Sequence, residues 1–256
     1  MPCCFEYVAP GFWALIKGYR VFQAEAEVLR WAQTACDVVR TIDTSERRHG
    51  RTWFVGVDAL PNLPDGSIDG VPLKGTWLKA LADVPAFDEW HRAQVSIVFP
   101  GYPKQDPDES DAAHQFRINR DAAHMDGLLP EGPQKRRHLR EPHAFVVGIA
   151  LNDVAASPLV VWEDSHKIMQ AAFTEILNGE QAEAWGDLDV TDAYQAARRE
   201  VFASCKRVEV VMRPGEVVLL DRHLIHGVAP WSGPDVPEGR QIAYFRPEVS
   251  RLQDWL

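Results

Sequence analysis

The sequence predicts a mainly β fold with flanking helices, a sandwich or jelly roll, and three observations carry that expectation. Short apolar runs rich in β-branched residues, punctuated by turn signals, fill the chain from residue 94 onward. One amphipathic stretch precedes them. One helical insert divides them into two halves, a layout of strands packed on strands with helices outside. With 256 residues, 46% of them hydrophobic and 25% charged, the chain fits a single domain with an ample core.

Taken in order, Val21, Ala24, Val28, Trp31, Ala35, Val38 and Ile42 recur at three- and four-residue steps, which predicts a helix. Residues 52–60 read as a strand, and Asn62-Leu63-Pro64-Asp65-Gly66 as a turn. Shorter helices are expected over 73–82 and 86–92, making 1–93 a mainly helical support. Residues 94–250 hold the β core, with strands expected at 95–99, 144–151, 159–162, 207–212, 216–220 and 241–245. Residues 165–205 form the helical insert, and 106–111 a solvated acidic loop. There is no internal repeat.

Charge and composition exclude several classes. A net charge of -10 argues against a general nucleic-acid binder, whose affinity rests on Lys and Arg at phosphates. No apolar run approaches the ~18 residues of a membrane span, so no membrane association is expected. The opening Met1-Pro2-Cys3-Cys4-Phe5-Glu6 lacks the basic-then-apolar pattern of a signal peptide. Cys3, Cys4, Cys36 and Cys205 lack zinc-knuckle spacing and are expected as reduced thiols in a cytoplasmic protein.

Of nine histidines, only His124 is followed two places later by a carboxylate, Asp126. In an extended segment residues two apart share a face, so both can approach one ion, and imidazole with carboxylate suits iron(II). A third ligand must come from elsewhere. His223 and His226 follow an apolar strand, but at a spacing of three they face opposite ways, and Gly227 allows the backbone to come close at His226. After a loop holding Trp231, Arg240 returns beside His226 within an apolar strand. Such an arginine needs a partner, and a ligand carboxylate on its guanidinium fork would supply one. Arg246 lies on the same face, roughly 20 Å farther by strand rise, as the alternative anchor.

Together these blocks resemble the phytanoyl-CoA dioxygenase-like family of Fe(II)/2-oxoglutarate-dependent oxygenases over roughly half the chain, from Arg117 to Arg246. His124-Met125-Asp126 looks like the family's His-x-Asp, and Ile149-Ala150-Leu151-Asn152-Asp153 like its apolar strand and turn. Ser157-Pro158-Leu159 through Ser165-His166 looks like its Gly-Pro-Leu strand ending in Gly-Ser-His, and Gly215-Glu216 through His226 like its last block. The chain departs from the family at Val228, Trp231 and Asp164, and Arg240 falls 14 residues after His226, farther than the family spaces it.

The resemblance implies a double-stranded β-helix (cupin-like) core in which His124, Asp126 and His226 hold Fe(II). It also implies 2-oxoglutarate as cosubstrate anchored by Arg240, O2 as oxidant, and hydroxylation of a small-molecule substrate with release of succinate and CO2. The same ligands would serve a cupin-like isomerase or hydrolase, or a jelly-roll binding protein without catalysis. Arg120 and Trp231 are the candidate substrate contacts, His166 is read as structural, and the basic run 135–140 as a solvated loop that could alternatively draw an anionic substrate.

Overall fold

The computed structural model describes residues 15–256; Cys3, Cys4 and the N-terminal segment lie outside them. Eleven strands are described. They are β1 (Tyr19–Phe22), β2 (Trp53–Phe54), β3 (Gln94–Val98), β4 (Leu128–Glu131), β5 (Arg136–Leu139), β6 (Phe145–Ala150), β7 (Leu159–Trp162), β8 (Arg207–Val210), β9 (Val217–Asp221), β10 (His226–Val228) and β11 (Arg240–Phe245). The helices are α1 (Ala26–Val39), α2 (Asp111–Asn119), α3 (Ser165–Leu177) and α4 (Thr191–Ser204). A six-stranded sheet runs β1-β9-β6-β11-β3-β2, a three-stranded sheet β10-β7-β8, and β4 pairs with β5. All strand pairings are antiparallel.

Side-chain alternation builds the layers. On β6, Phe145, Val147 and Ile149 join the core beneath α1, while Val146 and Ala150 face the other way. On β9, Val217 and Leu219 take the first side, and Val218 and Leu220 the second; on β11, Ala243 and Phe245 oppose Ile242 and Tyr244. The second side also gathers Leu159, Val161 and Val210 from the smaller sheet, so the two sheets stack face to face around it. The outer face of the smaller sheet, with Val160 and Trp162, packs on α3 and α4 through Met169, Phe173, Tyr194 and Val201. Central strands covered on both faces read as unbroken apolar runs, which is why β6 and β9 stand out in the sequence.

α1 buries Val28, Trp31, Ala32, Ala35, Cys36 and Val39, and Trp31 donates its indole N–H to Gly66 O at 2.8 Å. It is shorter than the expected 21–42 helix because Val21 is taken by β1, opposite Val218. The expected strand over 52–60 stops at Phe54, since the backbone turns at Gly56 (φ 52) and Asp58 (φ 51). A 3-10 helix (Thr76–Asp83) stands where 73–82 was expected helical. Residues 86–92 form no helix; Trp90 instead donates its N–H to Pro64 O at 3.0 Å and packs on Trp77 and Phe145. Among the described residues the first third is helical in α1 and the 3-10 helix, and it also supplies β1 and β2, the two edges of the larger sheet.

The acidic stretch 106–111 is largely exposed, as expected, and is anchored at its ends: Asp106 accepts the backbone N–H groups of His49 and Gly50, and Ser110 caps α2. The basic run 135–140 lies mostly in β5, and its three arginines are engaged locally. Arg136 pairs with Asp189 and Asp192, Arg140 with Glu131, and Arg137 donates to Leu128 O.

Candidate metal centre

His124, Asp126 and His226 come together, each offering one ligand atom, all within 4.8 Å of one another, and Arg246, the residue after β11, reaches Asp126. Sequence-distant segments are brought together by main-chain pairing: His124 N–H donates to His226 O at 2.8 Å and His226 N–H to His124 O at 3.0 Å. The hydrogen-bonded antiparallel pair puts both imidazoles on one side, with ring centroids 4.8 Å apart. Upstream, Asp121 (φ 52) and Ala122 (φ 53) turn the chain, and Arg207 clamps the Asp121 carboxylate through Nε and Nη2 at 2.7 and 2.8 Å. Downstream, Ser165 Oγ accepts the Ile225 N–H at 2.9 Å, tying the turn that carries His226 to the first residue of α3.

Both imidazoles are set in the tautomer a metal needs. Each Nδ1 lies 2.9 Å from the carbonyl two residues back, Ala122 O for His124 and Leu224 O for His226. Donation there leaves each Nε2 as a lone pair. Those lone pairs face carboxylate oxygens, His124 Nε2 at 3.2 Å from Asp126 Oδ1 and His226 Nε2 at 3.5 Å from Oδ2. Acceptors aimed at acceptors call for a cation between them, so the residues fit a divalent ion. Two nitrogens and one oxygen on one side is the donor set of non-heme iron(II) sites with open positions.

Burial would push the Asp126 carboxyl up, but the Arg246 guanidinium outweighs it and holds the group well below the usual carboxylate range. The carboxylate is thus ionised and ready to ligate. Access is one-sided: the His124 side chain is 45% exposed and that of His226 only 8%. His223 turns the other way, wholly buried against Phe173 and Trp255, with ring centroids 6.1 and 4.6 Å off. Burial pushes its pKa down.

Arg240 opens β11 opposite Val98 and, by alternation with Ile242 and Tyr244, faces between the sheets. It is buried, yet neither Nη1 nor Nη2 has a hydrogen-bond partner among the described residues. Buried guanidinium donors left unmet are costly, and two of them in one fork match a carboxylate. Arg246, the alternative anchor, already has a carboxylate: its Nε donates to Asp126 Oδ2 at 2.5 Å. The sequence had placed Arg246 on the right face but not on that partner.

Among the described residues, none of the other candidates is hydrogen-bonded to the three ligands. Arg120 is exposed, its Cζ 5.1 Å from the Phe202 ring centroid. Trp231 donates its backbone N–H to Tyr102 O at 2.7 Å, and its buried Nε1 has no partner among the described residues. His166 is buried at the start of α3, against the backbone of Gly18. Residues that sequence reasoning passed over are His91 and Gln94, which hold Arg246, and Glu141, whose carboxylate senses both Asp126 and Arg246.

No protein-family model matches the chain, and no curated protein does. Among solved structures it is similar to the non-heme alpha ketoglutarate dependent carbocyclase SnoK from nogalamycin biosynthesis, at 15% identity and TM-score 0.48, covering 92% of this chain and 84% of that one. It is also similar to HygX from Streptomyces hygroscopicus with nickel, 2-oxoglutarate and hygromycin B bound, at 15% identity and TM-score 0.48, with 92% and 84% covered. A third is EctD from S. alaskensis with bound Fe, at 17% identity and TM-score 0.45, covering 91% and 73%. No helix among the described residues is long and apolar enough to cross a membrane.

Proposed function

We propose that the chain is an Fe(II)- and 2-oxoglutarate-dependent dioxygenase with a double-stranded β-helix core, a single domain that hydroxylates a small-molecule substrate. The observation that carries this reading is the combination of a cation-demanding His124–Asp126–His226 cluster with a buried, unmet guanidinium at Arg240, facing between the same two sheets. A metal site alone would not call for Arg240; a metal-chelating ligand with a second, remote carboxylate does. Iron(II), when bound, supplies the activation of O2 that couples oxidative decarboxylation to C–H hydroxylation. The balance is substrate plus 2-oxoglutarate plus O2 giving hydroxylated substrate, succinate and CO2.

The chain's own residues do the rest. His124 and His226 turn their Nε2 atoms to the metal position because their Nδ1 atoms are committed to backbone carbonyls. Asp126 stays ionised under the influence of Arg246. Arg240 receives the far carboxylate in a setting that the inter-sheet core keeps dry, where a charged hydrogen bond is strongest. The carboxylate at position 126 also favours hydroxylation over halogenation, since a small residue there would leave a coordination position to halide.

The test is succinate formation with iron(II) and 2-oxoglutarate in wild type and Asp126→Ala, together with anaerobic addition of 2-oxoglutarate to the iron-loaded protein. Wild type should turn over and show the weak visible charge-transfer band of a chelated 2-oxo acid, and Asp126→Ala should do neither. Equal turnover in both, or no band in wild type, would sink the proposal.

A further inference from the structure

Arg246 is held in place before it reaches Asp126. Its Nη1 donates to Gln94 Oε1, and its Cζ lies 5.1 Å from the Tyr244 ring centroid. Its backbone N–H donates to His91 Nε2 at 2.6 Å, while His91 Nδ1 lies 2.6 Å from Arg92 O, so that ring is fixed as well. Gln94 stands in register with Tyr244 across β3 and β11, which brings its amide to the face that Arg246 shares. The Arg246 and Asp126 side chains are 18% and 14% exposed, so the pair is shielded from solvent and salt.

This arrangement makes the two carboxylate oxygens unequal. Oδ2 carries the Arg246 Nε–H at 2.5 Å. Each oxygen faces one ligand histidine, Oδ1 at 3.2 Å from His124 Nε2 and Oδ2 at 3.5 Å from His226 Nε2, but among the described residues only Oδ2 meets an arginine or lysine. A carboxylate with both oxygens free can engage a metal through one or both, and the second mode uses up a coordination position. A facial site that must admit a bidentate ligand and O2 has none to spare.

We propose that Arg246 is a positioning residue that reserves Asp126 Oδ2, so that Asp126 offers a metal one oxygen and the remaining positions stay open to a chelating 2-oxo acid. The proposal rests on the dioxygenase reading above for the identity of that ligand, but its claim on the Asp126 carboxylate stands on the contacts alone. Lysine would replace the charge without the planar Nε–H and Nη1 pair that links Asp126 to Gln94.

The experiment compares wild type, Arg246→Met, Arg246→Lys and Gln94→Leu in two anaerobic titrations. One measures Fe(II) affinity, and the other measures 2-oxoglutarate affinity of the iron-loaded protein by its charge-transfer band. For Arg246→Met, Fe(II) affinity should hold or rise while 2-oxoglutarate affinity falls at least tenfold. Arg246→Lys should recover part of that loss, and Gln94→Leu should show a smaller fall in the same direction. Parallel loss of both affinities, the signature of a merely structural role, would overturn the proposal, as would unchanged 2-oxoglutarate affinity. Should Arg246→Met not fold, Gln94→Leu and Arg246→Lys decide by the same two readings. If wild type gives no charge-transfer band, the dioxygenase reading fails. The Fe(II) titration then still judges Arg246: affinity held or raised in the methionine variant supports its hold on Oδ2, and affinity lost refutes it.

Discussion

His124 and His226 exchange both of their backbone hydrogen bonds, at 2.8 and 3.0 Å, so the spacing of their imidazoles is set by main chain. That pairing needs Gly227. A Cβ built there would stand 2.1 Å from Asp121 O, a backbone atom that also accepts the Val228 N–H at 2.8 Å and cannot step aside. Gly227→Ala should therefore force β10 away from the 121–124 segment. Expected is a loss of about 1–3 kcal/mol by denaturant unfolding, in the range of overpacked sites, and a drop of at least tenfold in Fe(II) affinity. Unchanged affinity in the variant would show that the close approach does not hold the ligands.

Ser165 acts on the same turn from the opposite side. It is fully buried, and its Oγ accepts the Ile225 N–H. Ser165→Ala leaves that N–H unpaired in the interior, at a cost of about 1–3 kcal/mol. Fe(II) affinity should fall with it, because Ile225 precedes the distal histidine. Ser165→Thr, with the hydroxyl kept, is the control for the lost bond, although its extra methyl has to fit.

Arg240 should separate stability from ligand binding. Removing a buried charge that has no partner among the described residues is neutral or stabilising, so Arg240→Leu should melt at or above the wild-type temperature without ligand. Wild type should gain about 3 kcal/mol of stability at 2-oxoglutarate a hundredfold above its Kd, and the variant should gain none. Calorimetry with and without 2-oxoglutarate on the metal-loaded protein reads both. A variant destabilised without ligand would mean that the guanidinium has a structural partner.

Acid should destabilise the fold through His49. Burial, helped by Arg117, pushes its pKa down from 6.5 to about 4, against the pull of Glu109 and Asp106. Below pH 6.5 the unfolded chain takes up a proton that the folded chain refuses until about pH 4, so the folded state loses ground across that window as pH falls. His49 contributes at most about 3 kcal/mol of this, and His166 and His223, also pushed down by burial, act in the same direction. His49→Phe keeps a ring beside Trp53, whose centroid is 5.5 Å away, and should flatten the slope of stability between pH 4 and 6.5. An unaltered slope would assign the acid sensitivity elsewhere.

What the sequence disclosed depended on range. His124 and Asp126 share a two-residue spacing, and β6, β7 and β9 carry the unbroken apolar runs of covered strands, so both were legible locally. α2 was missed because it buries no residue and shows no apolar stripe, and β5 because its residues are mostly basic. Both are held by neighbours far along the chain, as Arg136 is by Asp189 and Asp192. Val21 fits a helical period and a strand equally well, and only its partner Val218 decides. Arg246 reaches a carboxylate 120 residues earlier, a meeting that no local pattern encodes.

The strand order carries one last consequence. His226 belongs to the three-stranded sheet and Arg240 to the six-stranded one. Their separation in space is therefore gauged by the stacking of two layers, about 10 Å apart in such sandwiches, together with the rise along β11, and not by the length of the loop between them. The two sheets work as the jaws of a caliper. Loop 229–239 can lengthen or shorten over generations without changing what the jaws measure, so a wider histidine-to-arginine interval in sequence is compatible with an unchanged grip. On the dioxygenase reading proposed above, the jaws would select by molecular length, and four- and six-carbon oxo diacids are expected to compete poorly with the five-carbon one in the charge-transfer titration.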